Sequence, residues 1–140
     1  MVTKSLCTTA AAGGALAFAL VAGIPHVARA ADEFEKIEAE AGRQWYDEYC
    51  TPCHGAGGAP GSATFVEGKK PVDLRDYVAR NGGRFPAERW ISVVTTENPA
   101  LVHTAVWKRI RDAKGTSISS DAAGRALVVS IAYYVRSIQR

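Results

Sequence analysis

The sequence predicts an all-α fold, a small helical domain with extended loops, on three observations. Two stretches, near residues 34–49 and 123–138, place apolar side chains every three to four residues, the period of an amphipathic helix. No stretch alternates apolar and polar residues with the period of two that marks a half-buried strand. Between the two helical stretches, clusters of Gly, Pro and Asn cut the chain into short pieces.

The first helix is expected to start at Asp32, which caps it with Glu35 three residues on, and the acids of its first turn suit the helix dipole. Its apolar face reads Phe34, Ile37, Ala41, Trp45 and Tyr49, and it delivers the chain to Cys50. Gly55 to Gly61 is a Gly/Ala/Pro loop. Asp73 caps a short helix from Leu74 to Arg80, which Asn81-Gly82-Gly83 stops. Pro86 suits the first turn of a helix reaching about Thr95. Thr104 to Ala113 forms another, ended by Gly115. The last helix starts near Ser120-Asp121 and lines up Ala123, Leu127, Ile131, Tyr134 and Ile138. No internal repeat is visible.

The first thirty residues have a different character. Lys4 precedes an uncharged run of fifteen residues, Ala10 to Ile24, and small residues, Ala28 and Ala30, stand at −3 and −1 of a cleavage after Ala30. This pattern predicts a secretory signal peptide over residues 1–30, the run being short of the ~20 apolar residues that cross a bilayer. Cys7 lies before the run, so it is not a lipid-attachment cysteine of the usual bacterial kind. An uncleaved amino-terminal anchor is the alternative, and only that would bring the chain to a membrane. The remaining 31–140 is one domain of 110 residues. It carries 15 Lys and Arg (the chain's 17 less Lys4 and Arg29) against 14 Asp and Glu, which gives no electrostatic case for nucleic acid. An acidic start, Asp32 to Glu48, and a later basic cluster, Lys108 to Lys114, read as solvated helix faces or as a docking dipole for a redox partner.

The chemistry is concentrated in Cys50-Thr51-Pro52-Cys53-His54, a C-x-x-C-H pattern of the kind that attaches a c-type haem. Two intervening residues let both thiols reach the vinyl groups on one edge of a porphyrin, and the adjacent histidine swings beneath it to ligate iron. Three other readings compete. A thioredoxin-like dithiol calls for a βαβ setting, which the chain lacks. A zinc site needs two further ligands, and of the remaining histidines only His103 lies outside the signal segment. A plain disulfide leaves His54 unexplained.

The order of helix, C-x-x-C-H, loops with short helices and amphipathic terminal helix resembles the class I bacterial mono-haem cytochromes c. Gly42, Tyr46 and Cys50 at i, i+4 and i+8 resemble that family's glycine, aromatic and first haem cysteine. Tyr134-Val135-Arg136-Ser137-Ile138 is similar to its closing run, and Arg80-Asn81-Gly82-Gly83-Arg84-Phe85-Pro86 resembles a segment of one subgroup. The resemblance covers essentially all of 31–140. It implies a small helical domain wrapped around one covalent haem c, with crossing terminal helices that meet at Gly42 and Tyr134. It further implies thioethers to Cys50 and Cys53, His54 as proximal ligand, and a carbonyl at Pro71 (Pro60 is the rival) that orients His54. Phe65, Trp90 and Trp107 are expected to wall the pocket.

The chain departs from that family on the other side of the iron. Its one methionine, Met1, falls in the signal segment, and the stretch matching the family's Met-Pro-x-Trp reads His103-Thr104-Ala105-Val106-Trp107. Thr104 stands at the methionine's place, and a hydroxyl is a poor haem ligand. His103 is the candidate sixth ligand; an open or water-bound iron, or Lys69 or Lys70, are the alternatives. The expected function is an exported, periplasmic carrier of single electrons between redox proteins, or an electron-transfer subunit of a redox enzyme, rather than an enzyme itself. A haem-based binder or sensor of carbon monoxide, nitric oxide or peroxide, with an open sixth position, is the alternative. No nucleotide loop or nucleophile-base pattern suggests a substrate site.

Overall fold

A computed structural model describes residues 24–61, 68–114 and 118–140, without the side chains of 24–27, 114 and 118–120. Most of the expected signal segment and the expected pocket residue Phe65 lie outside the described residues, as does Gly115. The described chain is all-α. In order it forms α1 (Ile24–Tyr49), α2 (Thr51–His54), α3 (Tyr77–Arg80), α4 (Ala87–Val94), α5 (His103–Lys114) and α6 (Ile118–Ser137). Two 3-10 turns, Ala56–Gly58 and Leu74–Asp76, lie between α2 and α3.

Helices α1 and α6 make the most extensive contact and form the frame. They cross where Gly42 meets the backbone of Ser130. A Cβ placed on Gly42 would lie 1.9 Å from the Ser130 carbonyl oxygen, so only glycine permits this approach. Around the crossing, Tyr46 packs on Tyr134 with ring centroids 5.0 Å apart. Val128, Ile131 and Val135 of α6 are fully buried. Polar groups tie the edges: Ser130 donates to Glu38 at 2.6 Å, and Arg136 pairs with Glu35 at 3.2 Å.

Two expectations for α1 need correction. The helix does not start at an Asp32 cap; it runs unbroken from Ile24, because Ala28-Arg29-Ala30-Ala31 are good helix formers. Its buried face is Gly42, Tyr46 and Tyr49, whereas Phe34 and Ile37 are 53% and 60% exposed and Ala41 is also exposed. The close crossing selects the small residue for the contact line and rotates the apolar stripe outward. On α6, Ala123 is exposed and Gly124 takes the inner position, where it faces the indole of Trp107.

The shorter elements follow the sequence closely. Asp73 caps its turn by accepting from the Arg75 N–H at 3.0 Å. The segment Leu74 to Arg80 is a 3-10 turn running into α3, and the Val78 carbonyl receives the Asn81 and Gly83 N–H groups at its end. Gln139 holds this segment to the carboxyl end of α6, accepting from Val78 N–H at 2.7 Å and donating to the Leu74 carbonyl at 2.8 Å. No helix among the described residues is long and apolar enough to cross a membrane.

Candidate functional site

The Cys50–His54 pentapeptide prolongs α1 by one further helical turn. Cys50 N–H reaches the Tyr46 carbonyl at 2.8 Å, and His54 N–H reaches the Cys50 carbonyl at 2.8 Å. Pro52, in the first turn of α2, loses no hydrogen bond there. Gly55 ends the turn at φ 73°, its N–H on the Thr51 carbonyl at 2.9 Å. The buried Tyr46 hydroxyl donates to the Gly55 carbonyl at 2.9 Å and locks the turn to the helix crossing.

Cys50 and Cys53 are free thiols. Burial, with neighbouring Cys53 adding to it, pushes the Cys50 thiol up to about 12, so it stays protonated at neutral pH. His54 donates from Nδ1 to, and so is oriented by, the Val72 carbonyl at 3.1 Å. That bond assigns the proton to Nδ1 and leaves Nε2 as the free nitrogen. The orienting carbonyl therefore belongs to Val72 and not to the expected Pro71. Pro71 does line the cavity beside it.

The turn forms one wall of a cavity of about 380 Å³. Leu74 and Tyr77 close one side, Trp90, Val93 and Val94 of α4 another, and the segment from Ala100 to Val106 faces the turn. Lys69 and Lys70 stand exposed at the rim. The lining is mainly apolar. Seven large apolar side chains are well exposed among the described residues, and four of them, Val72, Val93, Leu101 and Val102, line this cavity. Apolar exposure concentrated in one concave place marks a binding site for an apolar group.

His103, the first residue of α5, also lines the cavity. Its imidazole lies parallel to that of His54, the planes 6° apart and the ring centroids 6.2 Å apart. A metal–imidazole bond of about 2 Å on each side, with the half-width of each ring added, gives a centroid separation of roughly 6 Å. The observed separation of the stacked rings matches that figure. Burial lowers the pKa of both histidines, and each is therefore neutral, the ligating form; His54 additionally lowers that of His103. Among the described residues no group of three or more His, Cys, Asp or Glu forms a metal cage. A macrocycle that brings its own equatorial nitrogens needs only two axial ligands from the protein.

Thr104, at the position where the resemblance places a methionine, turns its hydroxyl to the Asn98 carbonyl. Trp107 does not line the cavity, contrary to expectation. It is 1% exposed and packs in the core, its ring 3.1 Å from where a Cβ of Gly124 would stand, with Arg111 and Arg125 against its faces. Val106 takes the wall instead, and Trp90 is placed there as expected. Val72 and Tyr77 are site residues that sequence reasoning missed; no residue-type signal distinguishes them. No family model matches this chain, and neither does any curated protein or solved structure.

Proposed function

We propose that this chain is an exported c-type cytochrome that carries single electrons through one covalent haem held between His54 and His103. The observation that carries the reading is the pair of neutral, parallel imidazoles 6.2 Å apart across an apolar cavity, next to two free thiols in C-x-x-C-H spacing. Cys50 and Cys53 would hold the haem by thioethers, each protonated thiol adding across a vinyl group. His54, oriented by Val72, would be the proximal ligand, and His103 the distal one. The exposed Val72, Val93, Leu101 and Val102 are the side chains an apolar macrocycle would cover. A close crossing of the terminal helices at Gly42 is what the sequence resemblance to the class I mono-haem cytochromes implies.

Haem supplies reversible one-electron chemistry when bound. His54 and His103 would hold the iron, Leu74, Trp90 and Val94 would help to keep water from it, and Lys69 and Lys70 would stand exposed beside the group. Two histidines in place of a histidine–methionine pair predict a lower potential than the family norm. Periplasmic dehydrogenases, reductases or oxidases are the fitting partners, with the signal segment 1–30 removed.

Mass spectrometry of the exported protein and absorption spectra of its oxidised, reduced and carbon monoxide-treated forms test the proposal. Expected are a covalent haem lost in Cys50→Ala and Cys53→Ala, and a low-spin ferric spectrum that becomes high-spin in His103→Ala. A high-spin ferric spectrum in the unaltered protein, with fast carbon monoxide binding, would instead favour a ligand sensor. Absence of covalent haem would end the proposal.

A further inference from the structure

We propose that Thr104 is a positioning residue for His103: its hydroxyl, bonded to the Asn98 carbonyl, closes the loop that presents this imidazole to the cavity. The inference rests on the proposed ligation of iron by His103 and concerns how firmly that ligand is held.

His103 occupies a junction, the first residue of α5 after the loop from Thr95 to Val102. Burial anchors the loop at its start, Thr95, whereas Leu101 and Val102, which lead into His103, are exposed apolar residues. The loop is held by hydrogen bonds converging on Asn98. Its side chain accepts from Ala100 N–H at 3.0 Å, and its carbonyl accepts from Leu101 N–H at 2.9 Å and from the Thr104 hydroxyl. The backbone bonds Thr104 N–H to Leu101 carbonyl (3.0 Å) and Ala105 N–H to Val102 carbonyl (3.3 Å) span only a single turn each. The Thr104 hydroxyl spans six residues and ties the first turn of α5 to the base of the loop. A further tie from α5 is Arg111 to Glu97, an exposed ion pair two turns further on, and such pairs contribute little.

A carbonyl shared by a backbone and a side-chain donor fixes the loop in the conformation that places His103 opposite His54. Without the hydroxyl, conformations with His103 withdrawn gain population. Carbon monoxide binds ferrous haem only when the distal histidine is off, so its apparent affinity reports that population directly. Loss of one ordinary hydrogen bond changes such an equilibrium roughly fivefold.

The test is carbon monoxide titration of the ferrous holoprotein, with the ferric spin state recorded in parallel, for Thr104→Val, Thr104→Ser and His103→Ala. Thr104→Ala serves as a second hydroxyl-free variant should valine crowd the turn. The expected result is a roughly fivefold higher apparent affinity in Thr104→Val and Thr104→Ala, with Thr104→Ser close to the unaltered protein. A merely structural role would lower the unfolding midpoint and leave the affinity unchanged, and that outcome overturns the proposal. So does a serine variant that behaves like valine. If His103→Ala leaves the spin state and the affinity unchanged, the failure lies in the proposed ligation itself rather than in the role of Thr104.

Discussion

Gly42→Ala tests the fold at the place where the site depends on it most. Judged by helix propensity alone, alanine would stabilise the interior of α1 by about 1 kcal/mol. The structure reverses the sign. The new methyl carbon would lie 1.9 Å from the Ser130 carbonyl oxygen, 2.4 Å from its carbonyl carbon and 2.9 Å from the Ile131 nitrogen, all backbone atoms that no rotamer change can move. To reach even 3.0 Å, α1 and α6 must part by about 1.1 Å, the difference between that distance and 1.9 Å. A gap of that size forfeits roughly half the dispersion between surfaces that had been in contact. It falls on Tyr46, Val128, Ile131 and Val135, all fully buried. Overpacking of this kind costs about 1–3 kcal/mol or more, and with backbone on the far side the upper end applies, so a net loss of about 3 kcal/mol is expected. Urea unfolding of the protein followed by far-ultraviolet circular dichroism measures it, and the thermal midpoint should fall by about 12 °C. Gly124→Ala is the internal control. Its Cβ would meet the Trp107 ring at 3.1 Å and Ile110 at 3.4 Å, side chains able to give, so its loss should be smaller by about 2 kcal/mol. Stability of Gly42→Ala equal to or above that of the unaltered protein would refute the close crossing.

Other consequences are open to direct measurement. Tyr46→Phe keeps the packing on Tyr134 and removes the hydroxyl that holds the Gly55 carbonyl, so urea unfolding should register a loss of about 1 kcal/mol. Asp73→Ala removes the cap on Arg75 N–H together with the Arg75 and Arg140 ion pairs, and should cost about 1 kcal/mol, with Asp73→Asn costing less because the amide oxygen still caps. Hydrogen bonds and charge from Arg75, with Arg140 adding, hold the Asp73 carboxyl below the usual carboxylate range; its contribution is present at neutral pH and lost as pH falls below the ordinary value of about 4. In the chain before any haem is attached, burial holds the pKa values of His54 and His103 below the unfolded value of about 6.5, so the unfolded chain takes up protons first as pH falls. Stability from these groups is full above that pH and declines below it, and a urea midpoint unchanged between pH 7 and pH 5.5 would contradict this.

How much of this was legible in the sequence depended on whether a feature resides in residue type or in backbone direction. The thiols and imidazole of Cys50, Cys53 and His54 are contiguous, and one helical turn brings them to one wall whatever the surrounding fold. His103 is reachable by elimination as a partner for His54, since besides these two no histidine, and no methionine, lies outside the expected signal segment. That it lies parallel to His54 is a tertiary fact, set by how the loop after α4 returns over the cavity. The carbonyl that orients His54 belongs to Val72 and not to Pro71 for the same reason: every residue carries a carbonyl, and only the path of the chain decides which one points inward. Periodicity places Phe34 and Ile37 wrongly on the inner face of α1, while Tyr49 is buried as expected and Gly42 lies at the crossing where the resemblance puts it. Phe34 and Ile37 are apolar and exposed, while Glu38, which accepts from Ser130, and Gly42 lie at the interface.

The same crossing explains why a pentapeptide at the end of a helix can work as a precise site. Gly42, Tyr46 and Cys50 share one face of α1 at successive turns. The first residue brings the α6 backbone close, and the second packs on Tyr134 and fastens Gly55 with its hydroxyl. The third begins the turn that carries His54. Displacement at the crossing is therefore transmitted along a rigid helix to His54, whose other attachment, the Val72 carbonyl, lies on a separate segment. The position of one imidazole is thus fixed by the helical frame. The other hangs from a loop held by Asn98 and Thr104. A perturbation of the frame should cost folding and displace His54 together, whereas one of the loop should act on His103 at little cost in folding, and the contrast between Gly42→Ala and Thr104→Val separates the two.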